Sequence, residues 1–180
     1  MTSYLALLRG INVGGYKKIK MEELRQLFMK IGLSHVKTYI QSGNVMFQSE
    51  KTPSDLIEKL ENEIEKEYGF TVIVVLLTAQ ELELILCDCP YAVDSLKEGE
   101  SLHFAFLSEV PPLDKINHLE NFNRGVDEYQ MKGKTIYLYL RQSIRDSKLA
   151  VQLSKLGVHV TVRNWNTTNK LADLVRTIGN

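Results

Sequence analysis

The sequence predicts an α+β fold of two tandem ferredoxin-like subdomains, each a split βαβ or α/β-plait unit with an antiparallel sheet. Strand-length apolar runs and amphipathic helical segments follow one another in the order β-α-β-β-α-β, and the same order recurs in the second half of the chain. With 180 residues, 44% of them hydrophobic, the chain has enough apolar side chain for a sizeable core, as one domain or two small ones packed together. Residues 1–77 are read as the first subdomain, 78–101 as a helical linker, and 102–180 as the second subdomain with an extra C-terminal helix. Residue identity between the halves is slight, so the duplication rests on the order of elements.

Tyr4–Arg9 is a short apolar run ending at Gly10, the pattern of a buried strand, and a loop rich in Gly and Lys follows it. Met21–Ile31 sets Leu24, Leu27, Phe28 and Ile31 at helical spacing and stops at Gly32, while Glu22 and Glu23 suit the positive end of the helix dipole. Val36–Ile40 and Val45–Gln48 flank the turn-forming Gln41-Ser-Gly-Asn44 and predict a hairpin. Pro53 opens a second helix, with Leu56, Ile57, Leu60 and Ile64 on one face, which ends before Gly69. The β-branched run Thr71–Leu77 predicts a central strand. In the linker, Ala79–Leu86 reads as helix, and Pro90 and Gly99 mark the irregular remainder.

The second half opens with a strand, Leu102–Leu107, and a helix, Pro112–Phe122. A hairpin of Val126–Met131 and Thr135–Leu140 turns around Lys132-Gly-Lys134, and Ser147–Leu156 (helix), Val158–Val162 (strand) and Thr168–Ile178 (helix) complete it.

Three junctions interrupt this regular pattern with Gly, Asn and Arg: Arg9-Gly-Ile-Asn-Val-Gly-Gly15, Tyr39-Ile-Gln-Ser-Gly-Asn-Val45 and Thr161-Val-Arg-Asn-Trp-Asn-Thr167. In the split unit the third strand inserts between the first two, which then run parallel and end on one edge. The first two junctions, some thirty positions apart in sequence, are therefore expected to be neighbours in space. Whether the third joins them depends on how the halves dock.

The formal net charge of +0 conceals a split: residues 1–48 carry +5, residues 49–123 carry −11, and residues 124–180 carry +6. Both basic blocks contain the junctions, an asymmetry suited to an anion-binding surface. The acidic run Glu58–Glu67 reads as a solvated helix face. No apolar run approaches the roughly 20 residues of a membrane span, and the N-terminus lacks the features of a signal peptide, so a cytoplasmic location and no membrane partner are expected. Cys87 and Cys89 read as reduced thiols, and the four dispersed histidines give no metal-ligand spacing, so neither a metal nor a cofactor is expected.

Known catalytic and phosphate motifs are absent. Gly10, Gly14 and Gly15 match neither the dinucleotide fingerprint nor the P-loop, and the bland reading is that Gly14 and Gly15 supply positive φ in a tight loop. Arg9 at the end of a buried strand needs an internal carboxylate or an anionic ligand. Gln41 and Ser42 add polar groups beside the glycine loop, although a hairpin turn is the better account of this segment. In the third segment, Asn166 or Thr167 can cap the last helix while Trp165 packs on the core; alternatively Arg163, Asn164 and Lys170 hold a carboxylate or phosphate there. The third strand, Asn44-Val-Met-Phe-Gln48, lacks the aromatic signature of the RNA-recognition module.

Leu7-Leu-Arg-Gly-Ile-Asn-Val-Gly-Gly15, Met21 and Leu24 leading to Thr38-Tyr-Ile-Gln-Ser-Gly-Asn-Val45, and Thr161-Val-Arg-Asn-Trp-Asn-Thr167 with Lys170 and Leu171 resemble the bacterial family called domain of unknown function 1697. The resemblance implies two α/β-plait subdomains in one compact protein and brings no activity, substrate or catalytic residue. The expected function is a non-catalytic binding module for an anionic ligand, either a phosphorylated metabolite or single-stranded nucleic acid. Its ligand-binding residues are Arg9, Asn12, Gln41, Ser42, Asn44, Arg163 and Asn164. The alternatives are an enzyme of undetermined reaction using the cleft between the subdomains, and a purely structural role for the polar segments.

Overall fold

The computed structural model describes residues 1–123 and 125–178. It is a mixed α+β chain with two four-stranded antiparallel sheets, each accompanied by helices, as two tandem ferredoxin-like units require. The chain divides into two compact units, Met1–Leu84 with Asn169–Asn180, and Ile85–Thr168. The segment read as a linker is thus shared between the units, and the end of the closing helix belongs with the first.

In the first unit, β1 (Thr2–Leu8), α1 (Met21–Lys30), β2 (Ser34–Tyr39), β3 (Asn44–Ser49), α2 (Pro53–Tyr68) and β4 (Val74–Thr78) form a sheet of order β2-β3-β1-β4. β3 pairs antiparallel with both β1 and β2, so β1 and β2 run parallel and finish on the same edge. Tyr4, Ala6 and Leu8 of β1 join Val45 and Phe47 of β3 in a core with Leu24 and Phe28 of α1 and Leu56, Leu60 and Ile64 of α2. Leu5, Leu7 and Met46, on the alternate positions, are equally inaccessible at 0% exposure. A sheet buried on both faces has no polar face to alternate with, which is why β1 is a continuous apolar run in the sequence. The same fact corrects the reading of Thr71–Leu77 as a central strand: β4 lies at the sheet edge, paired with β1, and its valines reflect burial of its faces rather than a central position.

The α2 termini follow their sequence signals. Thr52 Oγ1 accepts from the Asp55 N–H at 3.3 Å, Pro53 occupies the first turn, and Gly69 at φ 75° closes the helix through its N–H to Glu65 O.

In the chain order that follows, α3 spans Ala79–Cys87, with the division between units falling inside it. The second unit then contains β5 (Ser101–Leu107), α4 (Leu113–Glu120), β6 (Glu128–Lys132), β7 (Thr135–Leu140), α5 (Lys148–Gln152), β8 (Val160–Asn164) and the start of α6 (Trp165–Arg176). Its sheet order, β6-β7-β5-β8, repeats that of the first unit position for position. Ala105, Leu107, Ile136, Leu138 and Leu140 face Leu119 of α4 and Leu149 of α5 in its core. The helix expected over Ser147–Leu156 is shorter: Ser147 caps α5 by accepting from the Ala150 N–H at 3.1 Å, and Leu153–Lys155 tightens into a 3-10 turn.

The chain after α3 is fastened to this second sheet rather than running loose. Tyr137 Oη donates to Ile85 O at 2.8 Å, Tyr91 stacks on Tyr139 with ring centroids 5.4 Å apart, and Lys132 Nζ donates to Asp88 O at 2.9 Å. Glu100 accepts from Tyr139 Oη, which holds its carboxyl below the usual carboxylate range, and Arg141 lies over the Tyr139 ring at 4.6 Å.

Candidate functional site

The first two junctions meet, as the parallel course of β1 and β2 requires. After β1 the backbone forms a small hairpin. Asn12 N–H donates to Lys17 O at 3.1 Å and Tyr16 N–H to Val13 O at 3.0 Å, with Gly14 and Gly15 at φ 58° and 81°. Positive φ at both central positions is the type I′ pattern, so these two glycines do supply what the tight loop needs. The loop rich in Gly and Lys is thus a hairpin, and a Gly-Gly pair between Val13 and Tyr16 is its sequence signal.

Asn12 joins this loop to the next. Its backbone sits at φ 56°, a region that Asn tolerates. Its Nδ2 donates to Ile19 O and to Gln41 O, both at 2.9 Å, while its Oδ1 accepts from the Ile19 N–H at 2.8 Å. One side chain thus closes the base of the glycine loop and ties it to the β2–β3 turn.

Gly43 completes the junction by close approach. It lies at φ 82°, its carbonyl accepts from the Leu8 N–H at 2.8 Å, and a Cβ there would come within 2.9 Å of Ile11 Cδ1, Ile11 Cγ1 and Leu8 Cβ. Next to it, Asn44 is 0% exposed and its Nδ2 donates to Tyr39 O at 2.9 Å and to Ser42 Oγ at 3.0 Å. Ile40 holds φ 49°, a conformation a β-branched residue rarely adopts. Asn12, Lys17 and Ile40 of the paired loops have positive φ, as does His35 in β2.

Several charged groups of these loops have partners close by in the first unit, and others reach the surface. Lys17 Nζ donates to Thr71 O at 2.6 Å and lies 5.9 Å from the Phe70 ring centroid, and Lys20 Nζ pairs with Glu23 at 3.1 Å. Glu22 accepts from Arg25 and Gln26, whose hydrogen bonds lower its carboxyl to about 2. Both acids at the start of α1 are therefore engaged by their own helix and by Lys20. Arg9, Lys18, Lys37 and Gln41 are exposed, and Ser42 is half-buried.

Of the expected ligand-binding residues, Arg9, Asn12, Gln41, Ser42 and Asn44 belong to this loop pair. Arg163 and Asn164 belong to the second unit, at the end of β8. Arg163 pairs with Phe104 across the β5–β8 ladder, its Nη1 donates to Val162 O at 2.9 Å, and burial lowers its guanidinium to about 10. Asn164 Oδ1 accepts from the Thr167 N–H at 2.8 Å. The helix cap is thus Asn164, not Asn166 or Thr167, and α6 starts at Trp165, not Thr168, because an Asn side chain reaches the N–H three residues on. Trp165 stacks on Phe104 with centroids 5.8 Å apart, the packing role expected for it.

Thr161, which opens this third segment, is 3% exposed, and among the described residues its Oγ1 has no hydrogen-bond partner. Thr161→Val keeps the shape and removes a buried unpaired hydroxyl, so stability is expected to rise by about 1–2 kcal/mol. A chemical-denaturation midpoint checks this, and a loss of stability would reveal a bond the hydroxyl makes.

Among the described residues no group of three His, Cys, Asp or Glu could hold a metal ion, and no helix is long and apolar enough to cross a membrane. Cys87 and Cys89 are free thiols, with Cys89 pushed up by burial.

Comparison with known proteins gives a family and a fold. The sequence profile of the family described as "Protein of unknown function (DUF1697)" matches residues 1–137, which include both paired loops. A solved structure described as conserved bacterial protein SP0830 from Streptococcus pneumoniae is similar at 31% identity and a TM-score of 0.80, covering 97% of this chain and 98% of that one. No curated protein matches.

Proposed function

The chain belongs to the DUF1697 family of proteins of unknown function, and we propose that it is a non-catalytic binding module for a phosphate-bearing anionic ligand, held at the paired loops Arg9–Lys20 and Ile40–Gly43. The observation that carries this reading is the joining of a basic loop, Arg9–Lys20, to a polar one, Ile40–Gly43, by Asn12 and Gly43, with exposed Arg9, Lys18 and Gln41 on the resulting surface. A fixed surface loses little conformational entropy when a ligand arrives, and the neighbouring acids are already hydrogen-bonded. Asn12 and Asn44 then act by positioning the loops, while Arg9, Lys18, Gln41 and Ser42 are the groups offered to the ligand. Arg163 and Asn164 are not needed for it: one is half-buried on β8 and the other caps α6.

Titration with pyrophosphate at low ionic strength tests this. The native protein is expected to bind it saturably, and an Arg9→Ala, Lys18→Ala double variant with unchanged melting temperature is expected to lose about tenfold or more in affinity, two charge-assisted contacts being removed. Equal affinity in the two proteins would overturn the reading.

A further inference from the structure

We propose that the ligand of the loop pair is a single-stranded nucleic acid, with the Tyr16 ring at the hairpin tip as a base-stacking platform and Arg9 and Lys18 meeting the backbone phosphates. This rests on the phosphate-binding reading above and narrows it to one ligand class.

Surface shape separates a strand from a small metabolite. Metabolite sites are concave and enclose most of the ligand, whereas residues 13–18 of this chain are exposed without a break. Tyr16 is 79% exposed and Val13 64%. They are partners in an antiparallel bridge, so their side chains lie on one side of the hairpin. Ile40, on the adjoining turn, is 48% exposed. Solvent-exposed Val, Tyr and Ile side chains add little to the stability of the fold, because none is buried.

The hairpin that carries the ring is nevertheless held firmly. The type I′ turn fixes its backbone, the Asn12 bonds close the hairpin base, and the Lys17 ammonium is fastened to Thr71 O. An exposed aromatic ring on a fixed hairpin with exposed cations, in a segment of net charge +5 over residues 1–48, combines the stacking platform and the positive field that sequence-tolerant single-strand binders use. Stacking needs only the π-face of a base, so the expected preference is for single strands over duplex, with little dependence on sequence.

The test is fluorescence anisotropy of a labelled oligo-deoxythymidine of about twelve nucleotides, a length within single-strand site sizes, at about 50 and 200 mM salt. Native protein is expected to bind it more tightly than pyrophosphate, with affinity falling about tenfold or more across that salt range. Tyr16→Ala is expected to weaken binding roughly tenfold to hundredfold with little change in salt dependence, and Tyr16→Phe, which keeps the ring, to bind as the native protein does. Lys18→Ala should lower the salt dependence instead. Native affinity in Tyr16→Ala, or an oligonucleotide bound no better than pyrophosphate, overturns the single-strand inference while retained pyrophosphate binding leaves the phosphate site standing; failure of both ligands overturns both.

Discussion

Gly43→Ala is expected to destabilise the first unit by about 2–5 kcal/mol, from about 1–2 kcal/mol for an L-residue held in the left-handed region and about 1–3 kcal/mol for overpacking. The backbone there lies at φ 82°, and the new methyl would stand 2.9 Å from atoms of both Ile11 and Leu8. Neither neighbour can move away cheaply: Leu8 is a β1 core residue and Ile11 is 1% exposed beneath the glycine loop. Relief would come from separating the two loops, which breaks the Leu8 N–H to Gly43 O bond. Denaturation followed by far-ultraviolet circular dichroism measures the loss, and a change below about 1 kcal/mol would show that the loops are not closely packed. As a control, Gly10→Ala has a similar φ of 71° with no atom within 4 Å of the added methyl, so it should show the conformational cost alone.

Asn12→Ala is expected to cost about 2–4 kcal/mol, through three lost hydrogen bonds and an alanine forced to positive φ. The bonds join Asn12 to Ile19 N–H, Ile19 O and Gln41 O, and Ile19 is 3% exposed, so its backbone groups have poor access to replacement water. Asn12→Gly separates the contributions: glycine takes φ 56° freely, so it should recover about 1 kcal/mol of the loss. Asn12→Asp keeps an acceptor for the Ile19 N–H but sets a carboxylate against two carbonyl oxygens, and it should remain destabilised. An Asn12→Ala protein as stable as the native one would mean that the glycine loop is held by something other than this side chain.

Much of the architecture is legible in the sequence because its signals are local. Helix starts such as Thr52-Pro53 and stops such as Gly69 are written in single residues, and the repeated β-α-β-β-α-β order fixes which strands share an edge. That edge correctly brought residues 9–15 beside residues 41–44. What could not be read depends on contacts between distant segments. The valines of β4 look alike in a central strand and in an edge strand with covered faces. The chain between α3 and β5 carries turn residues and reads as a linker, yet Tyr91 and Glu100 bind it to β7 through partners some forty positions away. At the loop pair, Asn and Gly in the sequence suggested a polar site but could not separate ligand-facing groups from groups that hold the backbone. Asn12 and Asn44 bond to neighbouring backbone and Ser42 and hold the loops in place, and the side chains of Arg9, Lys18 and Gln41 are exposed.

The central claim, that the two joined loops form one phosphate-binding surface, is tested most directly by following the pyrophosphate titration amide by amide with nuclear magnetic resonance. The prediction is that the amides of Gly10, Gly14, Gly15, Tyr16, Lys18, Gln41 and Ser42 shift together along one saturable curve, while those of β8 and the start of α6 stay in place. Shifts confined to Arg163–Thr167, or no saturable shift in either loop, would contradict it.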